Sequence, residues 1–179
     1  MKIYITRHGQ TDFNKENKVC GLSDIDLNEK GKEQALYLRD NIIKNELTFD
    51  TIYVSPLKRA KQTAQPIEQY LNKKAKVDYR LKEFNFGDKE ACAVDDVDFR
   101  KKRSDPFIHF PNGESMLLAA ARVYSFLDEL INKSNINETI LIVSHKTTSK
   151  LINSYFKSQT IDEFNTFQME NCELLEYTI

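Results

Sequence analysis

Three short runs of branched and aromatic apolar residues have the pattern of buried β-strands, at residues 3–5, 51–54 and 139–143. The run at 139–143 is nearly continuous, as in the strands that a parallel sheet buries on both faces. Residues 76–79 and 173–177 are weaker strand candidates. We expect these two nearer an edge of the sheet.

Between these runs the apolar positions repeat at helical spacing. A first stripe accompanies an Asn28 cap and consists of Leu27, Gly31, Ala35, Leu38 and Ile42. Ser55-Pro56 predicts an N-cap with proline at the first helical position, opening a helix through Tyr70 that Pro66 should bend or interrupt. Two further helices are predicted, one over about 147–156 and one on the stripe Met116, Ala120, Val123, Leu127 and Leu130.

The alternation of strands and helices predicts an α/β fold with a mostly parallel sheet and helices on both of its faces. The 179 residues fit one domain, residues 1–179. Residues 84–113 interrupt the alternation with glycines, prolines, aromatic residues and the basic run Arg100-Lys101-Lys102-Arg103. We interpret this segment as a cap or lid excursion of the same domain.

Composition limits the partners of the chain. A net charge of −1 gives no overall attraction to nucleic acid or to an anionic membrane, so a bound anion must be held by a local cluster. The three cysteines are widely spaced and favour free thiols in a reducing compartment. No leader pattern and no apolar run of the ~20 residues that span a membrane are visible, so we expect a cytoplasmic protein. Its oligomeric state has no signal in the sequence.

Polar residues directly follow three of the predicted strands. Arg7 and His8 come after the first strand, Arg59 shortly after the second, and His145 after the third. Because the carboxyl ends of parallel strands lie at one edge of a sheet, these side chains can converge. Arginine matches phosphate oxygens with its planar fork, helix N-termini favour anions, and imidazole can act as a nucleophile. The sequence therefore predicts a phosphate pocket suited to phosphoryl transfer.

The leaving group of such a reaction also needs a proton. Glu83 lies between apolar residues just past the strand candidate at 76–79 and is our candidate for the proton donor. Glu90 and Glu114 are rivals, because surface glutamates are common. The basic run at 100–103 has the pattern of a solvated patch, although it could also steer a phosphorylated substrate.

The segment Thr6-Arg7-His8-Gly9-Gln10-Thr11, with Asn14 three residues on, resembles the Arg-His-Gly signature of the histidine phosphatase superfamily. This group contains the cofactor-dependent phosphoglycerate mutases and many small phosphatases. Further segments similar to the family's blocks follow in the family's order, at residues 21–35, 55–64, 81–87, 111–115 and 144–145. The resemblance covers essentially the whole chain. It implies a three-layer α/β/α sandwich with a mostly parallel central sheet, as in phosphoglycerate mutases.

The resemblance also implies a role for each site residue. His8 would accept the phosphoryl group and form a phosphohistidine. Glu83 would protonate the leaving oxygen and then activate water. The phosphoryl oxygens would be held by Arg7, Arg59 and His145, and the rest of the substrate pocket would contain Asn14, Gln10, Thr11, Gly21 and Lys146. No metal and no cofactor are expected.

Three positions depart from the family's pattern. Lys146 follows the second histidine, where the family usually has glycine. Ala91 follows Glu90 where another glycine is common, and Lys89 replaces a common aromatic residue. We expect these departures to affect the choice of substrate rather than the chemistry. Lys146 would either add a cation to the pocket or point to solvent.

We expect a phosphatase that hydrolyses a small phosphorylated metabolite through His8, with the identity of the phosphomonoester left open. A phosphoglycerate mutase is the main alternative. The mutases of the family that this chain resembles are longer, however, and have extra loops that exclude water. A binding module for phosphorylated ligands would need neither a nucleophile nor the proton donor Glu83. A zinc hydrolase using His8 and His145 would need a third strong ligand, which the sequence does not display.

Overall fold

A five-stranded sheet forms the centre of the computed structural model, which describes all 179 residues. Its strands are β1 (Lys2–Arg7), β2 (Thr51–Val54), β3 (Lys76–Val77), β4 (Thr139–Ser144) and β5 (Leu174–Thr178). The strand order is β3-β2-β4-β1-β5, and only β5 runs antiparallel, along the outer edge of β1. The three predicted inner strands and the two predicted edge strands are confirmed.

Helices cover both faces of this sheet. They are α1 (Asp12–Lys15), α2 (Glu29–Lys44), α3 (Lys58–Leu71), α4 (Val97–Ser104), α5 (Met116–Lys133), α6 (Lys146–Phe156) and α7 (Ile161–Thr166). Two short 3₁₀ helices lie at Tyr79–Leu81 and Gly87–Lys89. No helix is long and apolar enough to cross a membrane.

The central strand β4 divides the apolar core into two halves. Ile140 and Ile142 pack with α5 and α6 on one face, whereas Leu141 and Val143 pack with α2 and α3 on the other. This division follows from the two-residue period of a strand, which sends successive side chains to opposite faces. All four residues are completely buried. The architecture is therefore the three-layer α/β/α sandwich that was expected.

The predicted N-cap of α3 is wrong, and of the two effects predicted for Pro66, a bend or an interruption of the helix, the interruption does not occur. The N-cap is Leu57 and has no side-chain hydrogen bond, because the Ser55 hydroxyl is engaged by the His145 ring instead. Pro66 lies inside α3 without interrupting it. The apolar side of this helix, including Ala60 and Ile67, is buried against the sheet, and that packing outweighs the one backbone hydrogen bond that proline removes. By contrast, Asn28 caps α2 as predicted, its side chain accepting from Gly31 N at 2.9 Å.

A cluster of phenylalanines packs the segment 84–113 into the same apolar core as β1 and α5. The ring centroid of Phe86 lies 5.3 Å from that of Phe99 and 5.5 Å from that of Phe110. Phe99 is the one buried residue of α4. Its insertion fixes this helix beside the carboxyl edge of the sheet, with Arg100 and Arg103 at the wall of a cavity there.

Candidate active site

His8 lies just past the carboxyl end of β1 and is almost completely buried. Its Nδ1 is 2.7 Å from Gly9 O. A carbonyl oxygen only accepts hydrogen bonds, so Nδ1 carries the proton and Nε2 keeps its lone pair. Burial, followed by the charges of Arg59 and Arg7, holds the pKa of His8 well below its ordinary value. The ring is therefore neutral near pH 7, with Nε2 in the form that a nucleophile requires.

Of the two arginines predicted to hold phosphate, Arg7 is the one that lines the cavity. Its Nη1 donates to Met169 O at 2.8 Å, while its buried Nε has no hydrogen-bond partner in the protein. A buried donor without a partner is costly, and a bound anion would satisfy it. Arg7 and His8 both line the cavity, which has a volume of about 620 Å³. This arrangement leaves a donor of Arg7 free for an anion bound in the cavity.

Arg59 is completely buried and lies behind His8. Its Nε donates to His8 Nε2 at 3.2 Å. Its Nη1 donates to Ser23 O at 2.8 Å and its Nη2 to Gly21 O at 2.7 Å. Neither Arg59 nor Gly21 lines the cavity. Gly21 instead accepts from Arg59 and lies where a Cβ atom would overlap Glu90 and Phe84.

His145 caps the start of α6 and is completely buried. Its ring centroid is 5.2 Å from that of His8. Its Nε2 lies 2.6 Å from the Ser55 hydroxyl, and its buried Nδ1 has no partner. Burial and then the charge of Arg59 hold the pKa of His145 well below its ordinary value. The structure thus brings all four predicted phosphate-site residues together, although they come from three strand ends.

Glu83 is the only one of the three candidate acids that lines the cavity. It is 4% exposed, and its carboxylate accepts from Phe84 N at 2.8 Å and Thr147 N at 3.2 Å. Glu90 instead accepts from Leu22 N and from Ser23. Glu114 accepts from Asn85 N and pairs with Arg122 at 2.9 Å. Both rivals are therefore engaged in holding loops.

Three of the remaining predicted substrate-binding residues line the cavity, namely Gln10, Asn14 and Lys146. Thr11 does not, because it caps α1. Its hydroxyl accepts from Asn14 N at 3.3 Å, and Asn14 Oδ1 accepts from Thr11 N at 3.1 Å. These two hydrogen bonds occupy the side-chain oxygen of Asn14 and leave its amide nitrogen free to donate to a ligand. Thr11 thus orients Asn14 rather than facing the substrate pocket itself.

Lys146 is the first residue of α6 and lines the cavity. It therefore adds a cation to the pocket rather than pointing to solvent. Burial, then the charges of Arg103 and Arg7, lower the pKa of Lys146 to about 8. The residues of the basic run at 100–103 do not all face the cavity. Arg100 and Arg103 line the cavity, whereas Lys102 pairs with Asp98 at 3.0 Å.

Sequence reasoning missed several residues of the cavity wall. Lys150 was not singled out, although it is four residues after Lys146 and therefore on the same side of a helix. Asn171 donates to His8 O at 2.7 Å, and Glu170 lines the cavity beside it. No sequence signal marks these last two, because only the antiparallel pairing of β5 with β1 brings them to the site. The chain contains no group of three or more His, Cys, Asp and Glu side chains arranged to hold a metal ion.

Comparison with known proteins agrees with this geometry. Residues 3–179 match the family model of the histidine phosphatase superfamily, branch 1. The chain is 31% identical over 178 residues to phosphoserine phosphatase 1 of Hydrogenobacter thermophilus, covering 96% of this chain and 83% of that protein. It is 33% identical over 159 residues to a 2,3-bisphosphoglycerate-dependent phosphoglycerate mutase of Bartonella bacilliformis, covering 80% of this chain and 75% of the mutase.

The fold is similar to that of a mycobacterial glucosyl-3-phosphoglycerate phosphatase solved in complex with VO3. The TM-score is 0.86 at 24% identity, and the match covers 98% of this chain and 91% of that one. Family model, curated relatives and fold agree over nearly the whole length. The chain belongs to the histidine phosphatase superfamily, branch 1.

Proposed function

We propose that the protein hydrolyses a small phosphomonoester in two steps through a phosphohistidine on His8, without a metal ion. The observation that carries the proposal is the tautomer of His8, a cavity-lining residue whose Nδ1–H bonds to Gly9 O and whose unprotonated Nε2 accepts only from Arg59. Phosphatases among the relatives support the hydrolase assignment, including a phosphoserine phosphatase at 31% identity.

In the first step Nε2 of His8 attacks phosphorus and the bond to the leaving oxygen breaks. Glu83, entering the step as the carboxylic acid, donates its proton to that oxygen, so an alcohol leaves. The free donors of Arg7, the neutral His145 ring and the N-terminus of α6 stabilise the negative charge on the phosphoryl oxygens. Arg59 Nε must release His8 as Nε2 forms its bond to phosphorus, which makes that donor available to a phosphoryl oxygen.

In the second step the Glu83 carboxylate takes a proton from water, whose oxygen attacks the phosphorus. The bond between phosphorus and Nε2 breaks, phosphate leaves, and His8 returns to its neutral form with Glu83 again protonated. The balance is one phosphomonoester and one water converted to one alcohol and one phosphate.

A phosphoglycerate mutase is the second candidate, favoured by the relative at 33% identity. The alignment covers only 75% of that mutase, so a quarter of its length has no aligned counterpart in this chain. This difference favours hydrolysis, because a mutase must shield its phosphoenzyme from water. Transfer of label from the phosphoenzyme to a phosphoglycerate acceptor, instead of to water, would identify a mutase.

Turnover of a panel of phosphomonoesters by the EDTA-treated protein tests the proposal, with kcat/KM as the readout. We expect activity that EDTA leaves unchanged and that His8→Ala abolishes. Activity that EDTA removes and zinc restores would contradict the mechanism.

A further inference from the structure

The wall of the cavity contains a second group of cations, Arg103, Lys146 and Lys150, which we call the second cation cluster. Arg103 comes from α4, and the two lysines come from α6. None of the three has a carboxylate oxygen within the 4.0 Å of a salt bridge. The two steps of hydrolysis use none of them. Three cations without a partner in one wall are a feature that the chemistry at His8 leaves unexplained.

Lys150 is the extreme member of the cluster. The residue is 2% exposed, lines the cavity and makes no hydrogen bond within the protein. Its Nζ lies 4.0 Å from the centroid of the Phe164 ring, so a cation–π contact is its one favourable charge interaction in the chain. A lysine is almost never buried to this degree unless its charge is paired. An anion bound in the cavity would supply the partner that the protein does not.

Positive charge dominates the electrostatic surroundings of Lys150. Burial, then the charges of Arg103 and Lys146, lower the pKa of Lys150 to about 7. Glu83 acts on Arg103 and, together with Glu170, on Lys146, but no carboxylate contributes to the shift at Lys150. Arg103 thus makes both lysines harder to charge, and Lys146 adds to this effect at Lys150. A bound anion would reverse the effect at both lysines.

The cluster also has a defined position relative to the reacting phosphate. Lys146 is the first residue of α6, directly after His145, and Lys150 follows one turn later on the same side of the helix. Four residues of α-helix rise about 6 Å. The cluster therefore extends the cavity by about one helical turn from the phosphate site, and the Phe164 side chain of α7 lies against Lys150 there.

We infer that Arg103, Lys146 and Lys150 form a binding site for a second anionic oxygen group, a carboxylate or a second phosphate, carried on the same molecule as the transferred phosphate. The substrate is then a phosphomonoester with a second anion on a short linker. This identification of the substrate class rests on the proposed function, whereas the anion site itself does not require turnover.

Calorimetric titration of the whole protein at pH 7 with unreactive phosphonates tests the inference. The probes are 4-phosphonobutanoate and its carboxylate methyl ester, which differ only in the second charge, together with 1,4-butanediyl bisphosphonate. We expect the wild-type protein to bind one or both doubly anionic probes about tenfold or more tighter than the ester, as for a charge-assisted contact. Preference for the carboxylate or for the bisphosphonate identifies the second group.

Lys150→Met and Arg103→Met are the test variants, since methionine fills similar volume without charge. In both variants, we expect the affinities for the doubly anionic probes and for the methyl ester to differ by no more than about twofold. Lys101→Met is the control, because it removes an exposed cation of the same α4 that does not line the cavity, and it should keep the preference. Equal binding of all probes by the wild type, or a preference that survives both test variants, would overturn the inference. Absence of hydrolysis with the binding preference intact would instead refute the proposed function alone.

Discussion

Arg59 Nε donates a hydrogen bond to His8 Nε2 across 3.2 Å. The arginine is fixed from behind by the backbone carbonyls of Gly21 and Ser23, so the same guanidinium joins the loop after α1 to the nucleophile. The lone pair that attacks phosphorus in the proposed mechanism is therefore oriented before a substrate arrives. In that mechanism, releasing it costs one hydrogen bond, which a phosphoryl oxygen replaces.

Replacing Arg59 tests this relationship. We expect Arg59→Ala to reduce kcat/KM by an amount corresponding to about 2–4 kcal/mol of transition-state stabilisation, comparable to the loss of one oxyanion donor. Arg59→Lys should recover only part of the loss, because it keeps the charge without the planar fork. Melting temperatures of both variants separate lost catalysis from lost folding. Near-normal kcat/KM in folded Arg59→Ala would mean that Arg59 has only a structural role.

Glu83→Gln should slow the hydrolysis of a substrate more strongly, the more its leaving group depends on protonation. Alkyl phosphates should lose far more activity than p-nitrophenyl phosphate, whose leaving group departs with little protonation. Glu90→Gln and Glu114→Gln are the matched controls, since both carboxylates lie outside the cavity wall. If Glu90→Gln displayed the leaving-group dependence and Glu83→Gln did not, the acid would be misassigned.

The two buried histidines should make stability depend on pH. Their pKa values are lowered in the folded protein, so below about 6.5 the unfolded chain binds protons that the native state does not. The free energy of unfolding should therefore fall as the pH drops below about 6.5, by up to roughly 1.4 kcal/mol per pH unit for each histidine. Urea unfolding at several pH values measures this slope. His145→Gln should reduce it, whereas His109→Gln, at an exposed position, should not.

The buried Lys150 side chain should lower the free energy of unfolding of the unliganded protein, and this effect should also depend on pH. Because its pKa is lowered to about 7, the unfolded chain binds more protons than the native state between about pH 7 and 10.5. This residue therefore makes stability rise with pH over that window. Lys150→Met should remove that rise and increase the free energy of unfolding at pH 7 by about 1–4 kcal/mol, the range observed when apolar residues replace buried charges. A less stable Lys150→Met protein would show that the charge is well solvated.

The sequence was sufficient to predict those strands and helices whose pattern of apolar residues fits only one type of secondary structure. The continuous apolar run of β4 is read correctly because both faces of that strand are buried. Ser55 was misinterpreted as a helix cap because its partner, His145, is 90 residues away. Asn171 was missed because its contact with the His8 carbonyl depends on the course of the chain before β5. Local patterns thus predict strands and helices, whereas contacts between distant segments require the fold.

Rapid alkaline quenching with a labelled substrate tests most directly whether His8 Nε2 carries the phosphoryl group during turnover. The protein is mixed with a ³²P-labelled phosphomonoester, quenched, digested under alkaline conditions and mapped. We predict label on the peptide containing His8, stable in base, lost in acid, attached at Nε2, and absent from His8→Ala. Labelled turnover that leaves no phosphoryl group on the protein, or places it on another residue, would rule out a phosphohistidine at His8.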